Sequence, residues 1–387
     1  MENLRFRQRF MTSDRNEPSK PLGRHCKTRP LTRSFRGFWA FRSLADAVLQ
    51  QPSSGNNNFL LLRMLAASLV IFGHSFFLSP NACETCVDPL LKITGYASSH
   101  ILGVQMFFFL SGFLVHKSLQ TRKNLFGYLE ARARRILPAY LVCITLMVFP
   151  FGAFFSQLPL DRYLQNPETF EYILGKWLPF RFFDRLPEVV FSNREHGVFI
   201  NGSLWTIPLE ASLYLLLGAL GALRLLHSSG VSSASLLTLL LTILWILFGG
   251  HAEEPYRTSL QLSLFFFLGS FLYGIRHNVP LHPLLMMVLL FLAHNFRATS
   301  YAPYLSGLSL GYATLLIGYT RIRLLPNTII DASYGIYLYG FPIQQAIAHF
   351  FPNVGPYRMS LMAIPLAWAL GFLSFRHIES PFLLRSR

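Results

Sequence analysis

Apolar residues along this chain are gathered into long runs, which short polar and basic segments separate. Several runs reach about 20 residues, the length that a helix needs to cross the hydrocarbon core of a bilayer. Ten runs are recognised, with approximate bounds 59–79, 100–119, 136–155, 203–223, 234–250, 258–275, 281–295, 303–320, 328–350 and 359–377. The seventh is the weakest, because it is short and carries His294. The pattern predicts an all-α, polytopic membrane protein with about ten transmembrane helices.

The composition agrees with this prediction. Of the 387 residues, 52% are hydrophobic and only 13% are charged, whereas a soluble domain carries about 25% charged residues. The net charge of +16 would also suit a nucleic-acid-binding protein, but the basic residues lie in short segments between the apolar runs. That distribution marks the cytoplasmic side of membrane proteins. We therefore expect a lipid bilayer and no nucleic acid as partner, with both basic termini in the cytoplasm.

The chain is predicted to divide into a basic leader, residues 1–58, and a membrane domain, residues 59–387. The beginning of the leader is polar and rich in Arg and Lys, which is typical of disorder. Between 34 and 49, apolar residues such as Phe41 and Leu44 recur at helical spacing beside arginines. This pattern predicts an amphipathic helix at the membrane surface, with a flexible basic tail as the alternative.

Two ionisable residues, Arg63 and His74, lie inside the first apolar run. Ionisable groups are costly in hydrocarbon, so their presence in a span indicates a functional site. Eleven residues correspond to about three helical turns, so both side chains are expected on one face that lines a polar interior. The alternative is an arginine that extends to the membrane surface and a histidine that packs in the core.

Glu210 lies in the fourth run. Counting from the outer membrane surface places it about 10–13 Å deep, at a level similar to that of His74. A carboxylate beside an imidazole would orient the ring and stabilise the imidazolium formed by proton uptake. A structural ion pair, or a glutamate that burial keeps neutral, is the alternative.

Arg132 and Arg135 are three residues apart at the inner end of the third run, so they share a helix face. Paired guanidinium groups bind phosphate well. Together with Arg63 they predict a site for a long anionic ligand that enters from the cytoplasmic side. Arginines at the inner boundary of a span are also an ordinary topology signal.

Polar residues also interrupt the second and ninth runs. Gln105 and Ser111 lie in the second run, where such residues usually mark close helix packing. The ninth run contains Tyr334 and Tyr337 together with Gly and Pro. Such a helix can kink and line a cavity, although packing is again the alternative.

The four cysteines include one C-x-x-C pair, Cys83 and Cys86, in a short polar loop. We expect this pair to form a structural disulfide or to remain as free thiols, since no second pair accompanies it. No cluster of residues has the spacing of metal ligands, so no metal is expected.

Taken together, these residues resemble the acyltransferase-3 family of bacterial membrane O-acyltransferases over about residues 59–383. The matching motifs, in chain order, are Arg63-x10-His74, the run from Gln105 through Ser111 to Phe113, Arg132-x-x-Arg135, Ser203-Leu-Trp205 with Glu210, Ser333-Tyr334-Gly-Ile-Tyr337, and Glu379-x-Pro381. Six motifs in the right order make the resemblance specific.

The resemblance implies an O-acyltransferase that takes an acyl group, usually acetyl, from acyl-CoA on the cytoplasmic side. The implied acceptor is a hydroxyl of a cell-envelope carbohydrate or lipid-linked glycan, and the implied location is the bacterial cytoplasmic (inner) membrane. The catalytic residues would be His74, as general base, and Glu210. The residues at the acetyl-CoA donor would be Arg63, Arg132 and Arg135.

Other functions remain open on the sequence alone. A transporter or flippase of a glycan or small solute would also have many spans and buried polar groups, but it should show inverted repeats, which are not evident. A membrane scaffold is disfavoured by the number of ionisable groups inside the spans. For an acyltransferase we expect direct transfer to the acceptor, with a covalent acyl-enzyme as the alternative.

Overall fold

The computed structural model describes residues 42–51, 57–81, 86–122, 124–176, 185–191, 199–223, 256–299, 301–320 and 329–384, together with a few single positions between these ranges. All of them belong to one compact unit, Phe41–Arg387.

Most of the described residues are helical. The helices, numbered in chain order, are α1 Leu44–Gln50, α2 Phe59–Leu78, α3 Pro89–Thr94, α4 Ser99–Thr121, α5 Leu125–Leu146, α6 Leu160–Gln165, α7 Pro167–Gly175, α8 Thr206–Ala222, α9 Tyr256–Gly274, α10 Pro283–Asn295, α11 Ala302–Gly318, α12 Ser333–Phe350 and α13 Pro356–Ser374. Helix α5 continues through a π-helical turn, Met147–Gly152, to Ala153–Phe155, and α13 continues through a second such turn, Phe375–Glu379, to Ser380–Leu384.

Among the described residues, four helical segments are long and apolar enough to cross a membrane: Phe59–Leu78, Ser99–Thr121, Leu125–Phe155 and Pro356–Leu383. These segments are consistent with a membrane protein, as the sequence predicts. Helices also occupy the other predicted runs except 234–250, most of which lies outside the described residues. The number of spans and the cytoplasmic location of both termini therefore stay predictions.

Helix α5 begins well before the apolar run that predicts it. It starts at Leu125 rather than near residue 136, so the segment that carries Arg132 and Arg135 is helical. The side chain of Asn124 caps the helix by accepting a hydrogen bond from the Gly127 N–H at 2.7 Å. The Ala, Leu, Arg and Glu residues that follow are good helix formers. Hydropathy misses this part of the helix because its residues are charged.

Glycines set the packing at the centre of the fold, where α4 lies between α2 and α9. Gly103 of α4 lies against Ala66 and Val70 of α2. On the other side, Gly112 of α4 lies against the backbone of Phe266 in α9. Without a Cβ at these positions the helices approach closely, which is the packing mode expected of membrane helices. Helix α12 packs in turn against α2 and α13.

The end of the predicted leader is attached to the membrane domain. A two-residue strand, Arg42–Ser43, pairs antiparallel with Pro280–Leu281, and α1 follows it. Leu44 and Ala47 of α1 are fully buried in the main hydrophobic core. A helix is therefore present in the later part of 34–49, while residues 34–41 lie outside the described residues. Its location at the membrane surface and the division at residue 58 stay predictions.

The cysteines fall into two kinds. Cys86 is disulfide-bonded, which agrees with the first of the two alternatives expected for the C-x-x-C pair; Cys83 lies outside the described residues. Cys143, in α5, is a buried free thiol.

The close approach of α4 and α9 can be tested at Gly112, where an added methyl group would overlap the carbonyl group of Phe266. We expect Gly112→Ala to lower the free energy of unfolding by about 1–3 kcal/mol, as other overpacked cores do. Thermal unfolding of the purified protein in detergent measures this change. Gly355→Ala is the control, because its methyl group would meet no atom nearer than the Asn81 carbonyl oxygen at 3.9 Å. Equal stability of the two variants would contradict the packing described.

Candidate active site

A cavity of about 550 Å³ lies among α2, α4, α5, α8 and α12. The charged residues on its wall are the arginines Arg63, Arg122, Arg132, Arg134 and Arg135 and the carboxylates Glu210 and Asp331. Among the described wall residues, positive groups outnumber negative ones, so the cavity is suited to an anionic ligand. The predicted grouping of Arg63 with Arg132 and Arg135 is therefore present in the structure, with the first supplied by α2 and the others by α5.

Asp331, in the connection before α12, joins two of these arginines. Its Oδ2 accepts hydrogen bonds from Arg63 and from Arg135, each at 2.9 Å. Its Oδ1 accepts one from the Ser333 hydroxyl at 2.6 Å. Burial raises the pKa of Asp331, but Arg135 and Arg63 lower it more strongly, to about 2. The carboxylate is therefore ionised at neutral pH and ties α2 to α5.

Arg135 has a second acidic partner, Glu379. This residue lies in the π-helical turn of α13 and is 1% exposed. One of its carboxylate oxygens accepts a hydrogen bond from Arg135 at 3.2 Å, and the other accepts one from the Ser374 hydroxyl at 3.2 Å. Arg135 is thus held between two carboxylates. It stabilises the cavity wall and also contributes positive charge to it.

Arg132 is bound differently. Its guanidinium lies over the ring of Tyr214, with Cζ 5.9 Å from the ring centroid. Its buried Nε has no hydrogen-bond partner among the described residues, and no carboxylate of that part of the chain forms an ion pair with it. Its positive charge is therefore left for a ligand to neutralise, since buried charges are normally paired.

Glu210 does not lie beside His74, contrary to the level estimated from the sequence. Its carboxylate accepts hydrogen bonds from Ser111 of α4 and from Tyr214 of α8. The two hydroxyl groups also contact each other at 2.8 Å. His74, in contrast, lies next to His100 of α4. Ser111 and His100 are separated by about 16 Å along α4 at 1.5 Å per residue, so Glu210 and His74 are at different levels.

The estimate fails because the segment before α8 is already deep in the protein. The sequence estimate counts from Asn201, at the beginning of the fourth apolar run, as the point of entry from the outer surface, but Asn201 is fully buried. Its side-chain amide donates to the backbone carbonyl of Leu338, inside α12, at 2.8 Å. Helix α8 therefore begins below the surface, and counting residues from Asn201 gives too shallow a depth for Glu210.

His74 lies inside the protein in an aromatic environment, and it is 7% exposed. The centroid of its ring is 5.1 Å from that of Phe77, 5.1 Å from that of His100 and 5.3 Å from that of Phe341. His74 is not among the described residues that line the arginine-rich cavity. Phe341 is one helical turn beyond Tyr337, which does line it. Among the described residues, Arg63 therefore lines this cavity and His74 does not, so the two do not share the polar interior that the sequence predicts.

The remaining motif residues are divided between the cavity and the packing around it. Tyr334 and Tyr337 are on the cavity wall, as a cavity-lining ninth helix predicts, and their hydroxyl groups donate to backbone carbonyls at 3.1 and 3.0 Å. Ser111 is on the wall as well. Gln105 is buried within α4, and Trp205 immediately precedes α8; neither is among the described wall residues.

Asp331 is the site residue that sequence reasoning missed. The signal available was a single acidic residue directly before an apolar helix, in a connection that carries Arg321 and Arg323. A carboxylate in a basic segment is unusual by the topology rule and indicates a local partner. The partners themselves were not visible, because Arg63 is 268 positions away in the sequence.

Comparison with known proteins decides the family. The profile of the acyltransferase domain matches residues 56–375, which is most of the chain. The chain belongs to the acyltransferase-3 family. An O-acetyl transferase of Shigella phage Sf6 is 27% identical to it over 346 residues, which cover 86% of this chain and 97% of the relative. No solved structure matches the chain. The predicted acyltransferase-3 family and the predicted enzyme class, an acyltransferase, are thus confirmed.

The role of Asp331 in this acyltransferase can be tested by Asp331→Asn. The change removes the negative charge that Arg63 and Arg135 share. We therefore expect a loss of about 2–4 kcal/mol in the free energy of unfolding at neutral pH. The lowered pKa of Asp331, about 2 against 3.8 for an unperturbed group, means that this stability is present above about pH 4 and is lost as the pH falls toward 2. Thermal unfolding of both proteins across this pH range measures the difference.

Glu130→Gln is the matched control. Glu130 accepts a hydrogen bond from Arg134 at 2.6 Å in a partly exposed pair one turn apart on α5, and surface pairs at this spacing contribute only about 0.3–0.5 kcal/mol. A loss in Asp331→Asn no larger than that of Glu130→Gln would show that the shared carboxylate does not hold the cavity wall.

Proposed function

We propose that this protein transfers an acetyl group from acetyl-CoA to a hydroxyl of a cell-envelope carbohydrate or lipid-linked glycan, in the bacterial inner membrane. The observation that carries the proposal is the cavity with its excess of arginines, in a chain of the acyltransferase-3 family. The name of the phage relative supports acetyl as the acyl group and oxygen as its acceptor.

The cavity suits the donor because acetyl-CoA carries its phosphates at one end and its thioester at the other. Guanidinium groups bind phosphate through parallel, charge-assisted hydrogen bonds. Arg132, which has no ion pair among the described residues, is the first candidate for this contact. Arg63 and Arg135 add charge but are held by Asp331. The phosphates would therefore bind at Arg132, with the pantetheine arm extending toward Ser111 and Tyr337.

His74 is proposed as the general base. An imidazole has a pKa near neutrality, so it can accept the proton of a sugar hydroxyl while that oxygen attacks the thioester carbon. His74 is not among the described residues of the cavity wall, and Phe341, one helical turn beyond the wall residue Tyr337, packs against its ring. The proposal therefore includes a movement of the Phe341 side chain that admits the thioester to His74. A site closed by aromatic rings also keeps water from the thioester.

A glycan transporter or flippase is the second candidate. The cavity is compatible with it, but an arginine-lined wall favours an anionic ligand over a neutral sugar. Membership of the acyltransferase-3 family favours the enzyme. Uptake or flipping of a glycan by vesicles that contain the protein, without any requirement for acetyl-CoA, would favour the transporter instead.

Donor binding tests the role of the cavity. We expect Arg132→Gln to weaken acetyl-CoA binding to the purified protein by about tenfold to a hundredfold, because a charge-assisted contact to phosphate is worth about 1.5–3 kcal/mol. Isothermal calorimetry in detergent measures the affinity. Arg134→Gln should weaken binding much less, because that guanidinium already pairs with Glu130 at 2.6 Å. Unchanged affinity in Arg132→Gln would remove Arg132 from the donor site.

Transfer itself tests His74. We expect His74→Ala to abolish acetyl transfer while the protein still folds and binds acetyl-CoA, since the base acts only in the chemical step. Mass spectrometry of envelope glycans from cells with each variant, together with donor affinity of the purified protein, makes the distinction. Wild-type acetylation in His74→Ala cells would exclude His74 as the base.

A further inference from the structure

A second imidazole lies next to His74. The ring of His100, at the start of α4, is centred 5.1 Å from the ring of His74, with the two planes inclined by 43°. The residue before His74 is Gly73, and a methyl group there would overlap the backbone nitrogen of His100. The close approach of α2 and α4 at this point therefore depends on Gly73 and brings the two histidines into contact.

The residues at the beginning of α4 hold the ring of His100 in place. Its Nδ1 is 2.9 Å from the Ser98 hydroxyl. A hydroxyl group can donate or accept, so Ser98 is compatible with either neutral tautomer of His100. Asp88 fixes the same turn, because its carboxylate accepts hydrogen bonds from the backbone and the hydroxyl of Ser99, each at 2.8 Å. Ser98 therefore orients the ring. The other ring nitrogen, Nε2, can donate or accept a hydrogen bond, depending on the tautomer.

The proposed chemistry places a positive charge on His74. A charged imidazole is disfavoured in a buried environment unless a neighbouring group accepts its hydrogen bond. Two ring neighbours of His74, Phe77 and Phe341, are phenyl groups that offer no such acceptor. Glu210 is bound to Ser111 and Tyr214 at another level. Among the described ring neighbours, a neutral His100 offers a nitrogen lone pair that can accept such a bond.

We propose that His100 is a positioning residue for the transfer, which shares the proton that His74 accepts; this inference rests on the proposed function. As the acceptor oxygen bonds to the thioester carbon, its proton moves to His74, and His100 accepts a hydrogen bond from the imidazolium. The carbon–sulfur bond then breaks and its electron pair leaves with sulfur. The proton passes from His74 to that sulfur and gives the free thiol of CoA, so protons and electrons balance.

The test is His100→Ala, assayed by transfer of radiolabelled acetyl from acetyl-CoA to glycan in membranes of the source organism. We expect kcat to fall about tenfold to a hundredfold with little change in KM, a smaller loss than the 10²–10⁴-fold that removal of a general base causes. The substitution leaves a space of about the size of the lost ring. Added imidazole should enter it and restore part of kcat, and imidazoles of different basicity should differ in how much they restore.

His116→Ala is the matched control, because His116 is a buried histidine on the same helix that contacts Ser270 of α9. Rates are compared per amount of folded protein, and imidazole should leave the rate of this variant unchanged. A wild-type kcat in His100→Ala would overturn the inference alone. So would a loss that imidazole does not restore, or an equal effect of imidazole on His116→Ala. Absence of acetyl transfer by the wild-type protein would overturn the proposed function, and this inference with it.

Discussion

The ion pairs of Asp331 are the interaction on which the candidate site depends. Arg63 of α2 and Arg135 of α5 project into the interior of a fold whose helices are apolar enough to cross a bilayer. Burying guanidinium groups in such a place is costly unless a negative group accompanies them. A single carboxylate provides this for both, and it comes from the connection before α12. One side chain thus fixes three helices around the cavity.

This arrangement also determines which positive charges remain for a ligand. Arg135 is held by Asp331 and by Glu379, and Arg134 pairs with Glu130. Arg132 contacts only the face of Tyr214 among the interactions described. Arg132 and Arg135, three residues apart on α5, therefore differ in their partners, since the described carboxylates hold only Arg135. Their spacing in the sequence predicts a matched pair for phosphate, whereas the proposed function assigns phosphate binding first to Arg132.

The sequence predicted those features that follow from a regular helix. The positions of the apolar helices follow from hydropathy and helical periodicity, and the described helices agree with them apart from the early start of α5. Arg63, Arg132 and Arg135 line one cavity, as their places near the inner ends of two spans predict. The individual partners of these side chains in distant segments were not predictable. The role of Asp331 depends on its ion-pair partners in α2 and α5. A correct estimate of the depth of Glu210 depends on the burial of Asn201 against α12.

The ion pairs also bear on how the site can move. Transporters of the repeat type work by rocking one half of the protein against the other around a fixed site. Here the charges of Arg63, Arg135, Asp331 and Glu379 connect α2, α5, the start of α12 and the end of α13 across the cavity. Separating these helices would break a partly buried ion-pair network at a cost of several kcal/mol. Rotation of one aromatic side chain, Phe341, which the proposed function includes, is a smaller change. The structure therefore favours local opening around a rigid cavity, which suits transfer of a group within the site better than passage of a solute through it.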